Sequence, residues 1–185
     1  MRAVLGVVDY RVAQKVVHWL MALIIMLDLF VAQKFGGFMA VADRLESRGD
    51  HGSLGTILAV LLVVRVALRL IYGAPPLPVG MPQWQIIAAK LGHGLMYVAM
   101  LGLVTTGVIS ALNATNPVMI FQSVTLHIGN LDEDQFQFLR QFHEFFTYLM
   151  MALIGVHIVA AGYHHFVAKD DSTRRMLKFW QTQKN

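Results

Sequence analysis

HEFFTYLMMALIGVHIVAAGYHH, residues 143–165, is a strongly apolar stretch with histidines at 143, 157 and 164. An ionisable side chain inside a bilayer is costly, and by default it marks a functional site. Seven residues make nearly two helical turns, so these three histidines drift only about 20° per heptad around one face. One helix therefore offers imidazoles at three depths along a single stripe. Their partners must come from the rest of the chain.

The composition says what kind of environment that stripe sits in. Of 185 residues, 56% are hydrophobic and 14% charged, and the mean hydropathy is +0.56. A soluble domain of this size has too little interior to bury so much apolar surface, so a membrane protein is expected. Four stretches reach the roughly 20 residues that span a bilayer. They are VVHWLMALIIMLDLFVAQ (16–33), LGTILAVLLVVRVALRLIY (54–72), LGHGLMYVAMLGLVTTGVISAL (91–112) and FFTYLMMALIGVHIVAAGYHHFV (145–167). The first has too long an apolar run for a signal peptide and no clean cleavage site after it. The expected fold is one all-α membrane domain over 1–185. Its four transmembrane helices run roughly over 12–35, 51–72, 90–112 and 138–167.

Basic residues set the expected orientation. With both termini on one side, that side holds eleven of the fifteen Lys and Arg residues. The other side has Lys34, Arg44, Arg48 and Arg140. Positive residues favour the cytoplasmic face, so both termini are expected there. The basic tail from Lys169 onward suits lipid headgroups and gives no reason to expect nucleic acid.

The loops differ in character. GAPPLPVGMPQW (73–84) holds four of the five prolines and should be stiff and extended. Near the second outer loop, Asp132 is placed to cap a helix, with Gln135 reaching back to it. The fourth helix is therefore expected to start outside the membrane.

Ranked by depth, the histidines fall into layers. His51 opens the second helix and His143 the fourth, both at the outer end. His18 lies a few residues inside the cytoplasmic end of the first helix. His157 is about 21 Å beyond His143 at roughly 1.5 Å per residue. His93 and His164 lie near the cytoplasmic surface, and His18 matches either His157 or His164 in depth. Facing imidazoles across a bundle are what a b-type haem needs, since iron takes one axial nitrogen from each side of the macrocycle. The chain has no cysteine, which excludes covalent haem attachment through thioethers, iron–sulfur clusters and disulfides. A zinc or copper site would gather its ligands at one depth. A hydrogen-bonded packing role stays open for each histidine taken alone.

Several stretches resemble the bacterial cytochrome b561 family. They are VVHWLMALI, DHGSLGTILAVLLVVRVALRLIYGAPPLP, LGHGLMYVAMLGL, ATNPVMIF and FHEFFTYLMMALIGVHIVAAGYHHFVAKDDSTRRM, which together cover nearly the whole chain. The resemblance implies two haems b, an inner one on His18 and His157 and an outer one on His51 and His143. It implies a quinone near His93 and His164. It further implies electron transfer between a periplasmic donor and the ubiquinone pool, the donor being superoxide in members that resemble superoxide oxidases. A non-enzymatic haem-b anchor and conduit for a separate periplasmic dehydrogenase is the alternative, and a haem-free proton-relaying bundle a further one. LGLVTTGV departs from the family by lacking a mid-helix proline, and Asp28 has no evident counterpart.

Asp28 lies ten residues from His18, about 80° off that residue's face. It reads either as a charge or proton partner at the outer layer or as a neutralised carboxyl between helices. Arg65 and Arg69 either snorkel to headgroups or, for Arg65, pair with a haem propionate. Methionines and aromatics, Met96 and Tyr97 included, read as packing. The outer half carries eight carboxylates, Asp28, Asp43, Glu46, Asp50, Asp132, Glu133, Asp134 and Glu144, against its four basic residues. Any steering of an anion to the outer layer must therefore be local, from Lys34, Arg44 or Arg48.

Overall fold

The computed structural model describes residues 9–32, 41–129 and 131–179. Four long helices carry the chain across the membrane: α1 (Val12–Ala32), α2 (Val41–Tyr72), α3 (Gln83–Leu112) and α4 (Glu133–Gly162). A π-helical turn, Tyr163–Ala168, extends α4, and a short α5 (Asp171–Leu177) follows. A two-stranded antiparallel hairpin, β1 (Val118–Ile120) and β2 (Val124–Leu126), lies between α3 and α4. The architecture is a four-helix transmembrane bundle, as expected.

Two helices begin earlier than apolarity alone suggests. The second starts at Val41, ten residues before His51, because VADRLESRGD is a polar outer extension with Asp43 in its first turn, where a carboxylate suits the helix dipole. The third starts at Gln83, directly after Pro82, a residue that ends the extended linker and commits the next residues to helix. The expected end of the first helix, residues 33–35, lies outside the described residues, as do Lys34 and the two chain ends. The fourth helix starts at Glu133 with the capping box in place: the Gln135 backbone N–H donates to Asp132 Oδ1 (2.8 Å), and the Asp132 N–H donates to Gln135 Oε1 (3.4 Å).

The bundle is built from two antiparallel pairs, α1 on α2 and α3 on α4, joined mainly through α2 and α3. Its dry centre is Met21 and Ile24 of α1 against Leu58 and Leu62 of α2, with Tyr97, Met100 and Val104 of α3 packed on them. At Gly102 a Cβ would come within 2.5 Å of the Phe146 ring, so α3 and α4 approach closely there. Large apolar side chains such as Val63, Leu70, Val156 and Val159 stay exposed, forming the surface that meets lipid acyl chains.

The hairpin packs on the stretch of α2 around His51. Its turn places Phe121 (φ 50°) and Gln122 (φ 53°) in the left-handed region, which L side chains adopt at a cost. Ser53 offsets part of that cost. Its hydroxyl donates to Gly49 O (2.7 Å) and accepts from the Phe121 backbone N–H (2.7 Å). Ala114, Val118 and Ile120 form a small second core beneath, closed by Ala111 and Phe136.

The end of the bundle that carries Asp9 and Lys178 is tied by polar contacts. Gln14 donates to Gly73 O (3.0 Å). Lys15, 1% exposed, pairs with Asp9 (2.9 Å) and donates to the Lys178 carbonyl. Trp19 Nε1 donates to Met176 O (3.0 Å), and Arg175 donates to Pro76 O. The tail thus folds back over the first turns of α1 and the proline linker.

Gly49 has no room for a side chain, since a Cβ there would lie 2.6 Å from the Met119 carbonyl oxygen. Backbone cannot step aside as a side chain does. Gly49→Ala is expected to displace the hairpin and cost about 1–3 kcal/mol, the usual size for overpacking. Thermal unfolding in detergent should show a lowered midpoint; an unchanged midpoint would contradict the tight contact.

Candidate functional site

The helices bring the histidines together in two layers. In the layer expected on the outer side, His51 of α2 faces His143 of α4, their ring centres 5.9 Å apart and their planes at 88°. In the layer expected on the inner side, His18 of α1 faces His157 of α4 at 6.2 Å and 77°. Each layer therefore draws one imidazole from α4 and the other from the first helix pair. The heptad stripe on α4 is what serves both.

Both outer rings are oriented by hydrogen bonds at Nδ1. His51 Nδ1 lies 2.8 Å from Asp28 Oδ1, on α1. His143 Nδ1 lies 2.9 Å from Thr106 Oγ1, on α3. The Thr106 hydroxyl has one hydrogen, and it is 2.7 Å from the Gly102 carbonyl one turn back, so it donates there. It must then accept from His143 Nδ1–H. A carboxylate likewise accepts from His51 Nδ1–H. With Nδ1 donating, Nε2 is the nitrogen of each ring that carries the lone pair a metal would use.

The dimensions fit an iron held between two imidazoles. With Fe–N bonds of about 2 Å and a ring centre about 1.1 Å behind each nitrogen, facing rings sit about 6 Å apart. The observed 5.9 and 6.2 Å lie close to that figure. Small residues leave space around the outer pair. Gly55, one turn beyond His51, has no atom within 4 Å of where a Cβ would project, a cradle that a flat macrocycle can enter. At Gly107 a Cβ would lie 3.3 Å from His143 Cε1, so the ring rests directly against the α3 backbone. Among the described residues no three histidine or acidic side chains gather as a metal cluster; the arrangement is one of pairs.

The expected quinone residues are placed differently from each other. His93 lies beside the inner layer, its ring centre 5.4 Å from that of His157 and its Nδ1 2.6 Å from Ala89 O. His157 therefore has imidazoles on two sides. His164 lies in the π-helical turn with Nδ1 2.5 Å from Asp170 Oδ2. No hydrogen bond or ring contact joins His93 to His164. Burial raises the Asp170 carboxyl, but the Ser172 backbone N–H and then His164 outweigh it and hold the carboxyl below its ordinary range. Asp170 thus stays ionised at neutral pH, and its contacts weaken only as pH falls through that lowered value.

Asp28 and Thr106 are the residues that the sequence placed least well. Asp28 is 8% exposed, and the offset from His18's face turns it towards α2 and His51. Thr106 resembles any threonine bonded back within a helix, and the only sequence signal was its place between Gly102 and Gly107. Arg65, partly buried on α2, acts electrostatically on His18, His93 and His157. Tyr97 packs in the central core.

The family model described as prokaryotic cytochrome b561 matches residues 9–179. The chain belongs to that family. It is 26% identical to the probable superoxide oxidase CybB of Yersinia pestis over 169 residues, covering 91% of this chain and 95% of that protein. It is 28% identical to cytochrome b561 homolog 2 of Escherichia coli (strain K12), covering 91% and 90%. Cytochrome b561 homolog 1 of the same organism is 25% identical over 162 residues, covering 86% and 92%. This cytochrome b561 is thus a multi-pass membrane protein of electron transfer, and its family implies b-type haem.

Proposed function

We propose that this cytochrome passes electrons across the bacterial inner membrane from a periplasmic donor to the ubiquinone pool, through two haems b. His51 and His143 hold the outer one, and His18 and His157 the inner one. The observation that carries this reading is the pair of two-imidazole layers, at 5.9 and 6.2 Å, strung along one bundle. Haem, when bound, supplies a reversible one-electron iron couple. The protein supplies axial nitrogens, burial and orientation. Thr106 and Asp28 orient the outer rings through Nδ1, and α4 spaces the two layers.

His93, beside the inner layer, and His164, steadied by Asp170, are the proposed quinone contacts. An imidazole can donate a hydrogen bond to a quinone carbonyl and pass on a proton near neutral pH. With superoxide as donor the balance is two superoxide anions, one quinone and two protons giving two dioxygen molecules and one quinol. The relative named as a probable superoxide oxidase supports oxidoreductase activity of this type. The acidic outer half favours a second reading, in which a periplasmic dehydrogenase or a neutral molecule is the donor and the chain is a conduit. Both termini are proposed to be cytoplasmic, and lipid headgroups to meet the basic tail.

Single replacements test the pairing. His51→Ala and His143→Ala should each remove the same haem, and His18→Ala and His157→Ala the other, counted in visible spectra of purified protein. His93→Ala and His164→Ala should keep both haems and slow reduction of a soluble quinone by roughly 100-fold, the lower end of what a positioned proton donor contributes. Haem loss in His93→Ala with retention in His18→Ala would transfer the inner pairing to His93 and His157.

If superoxide is the donor, its reduction of the haems should slow as ionic strength rises, because local charge attracts the anion. Arg44→Gln with Arg48→Gln should slow it further at unchanged haem content. A rate indifferent to both, followed by stopped-flow spectroscopy, would favour the conduit reading.

A further inference from the structure

We infer that Asp28 is a positioning residue that sets the redox potential of the outer haem, acting through His51. The inference rests on the proposed pairing of His51 with His143.

The geometry is specific. Asp28 is buried within α1, and its Oδ1 meets Nδ1 of His51 at 2.8 Å across the α1–α2 interface. A carboxyl in the apolar half of a spanning helix costs several kcal/mol to hold there unless it is well partnered. Packing alone would be served by any apolar residue of similar size. The partner it has is the ring nitrogen opposite the one that would bind iron. A carboxylate accepting from Nδ1–H draws the proton away from the ring, which gains imidazolate character and becomes a stronger donor at Nε2. Stronger donation and a nearby negative charge both favour the oxidised, more positive iron and lower its potential.

The other three ligand positions lack this feature. His143 has the neutral Thr106 hydroxyl at its Nδ1. In the inner layer the charge acting on His18 and His157 is that of the Arg65 guanidinium, which is positive and favours an extra electron there. A negative group at the outer layer and a positive one at the inner layer tilt electron transfer inward. Asp28 is the part of this tilt that works through a defined hydrogen bond.

The experiment uses purified full-length protein carrying its haems, with potentiometric titration and electron paramagnetic resonance of the ferric form. His51→Ala first identifies which titration step belongs to the outer haem. If it leaves both steps intact, the pairing itself fails, whatever Asp28 does. Asp28→Asn keeps an oxygen acceptor of the same reach but removes the charge. It should retain both haems, move the outer midpoint to a more positive value, leave the inner one in place and shift the outer haem's ferric signal. Unchanged outer midpoint and signal in Asp28→Asn with both haems retained would overturn the inference. If Asp28→Asn loses the outer haem, Asp28→Glu decides. Retention there shows that a carboxylate is needed and supports the inference, whereas loss in both variants reduces Asp28 to a packing role and overturns it.

Discussion

Two imidazoles separated by about 6 Å inside a low-dielectric bundle set a demanding constraint on the four helices that carry them. Neutral histidine rings are tolerated in an apolar interior only where their ring nitrogens are satisfied, and they can share a metal only where the helices hold them face to face. The chain meets this constraint twice, at 5.9 and 6.2 Å. It does so with one helix, α4, supplying a ring to each layer, while α1 and α2 supply the opposing rings. The close approach of α3 to α4 at Gly102, the ring of His143 lying on Gly107 and the Ser53 bridge to the hairpin all serve the same placement.

The two ends of the bundle are finished differently. At one, a small hairpin with a strained turn is fastened to α2 two residues beyond His51, which stiffens the stretch of helix bearing that ring. At the other, the tail returns to Lys15, Trp19 and the proline linker through hydrogen bonds to backbone carbonyls. His164 and Asp170 are part of this closure. That end of the bundle is thus built by residues from both ends of the chain.

Much of this was legible in the sequence because the signals are periodic or local. The four spans follow from apolar length, the Asp132–Gln135 box from a three-residue spacing, and the layering of His51 with His143 from helical rise. Helical rise left His18 level with either His157 or His164, and the family resemblance pointed to His157. The residues that escaped depend on tertiary neighbours. Asp28 meets His51 across an interface whose rotation no single helix discloses. The Phe121–Gln122 turn lacks the glycine or asparagine that announces such a turn, because Ser53 of another element supports it. Residues 41–50 and 83–90 are helical although too polar to be read as membrane spans. His93 was placed at the surface by depth, yet packs against His157 because α3 starts early and brings it into the inner layer.

The central claim, two bis-imidazole haems in one chain, is tested most directly by a pyridine haemochrome determination on purified protein, set against protein concentration from amino-acid analysis. The account predicts two haems b per chain, both giving low-spin ferric signals of bis-imidazole type. One haem per chain, or a high-spin signal from protein with its full haem content, would contradict it.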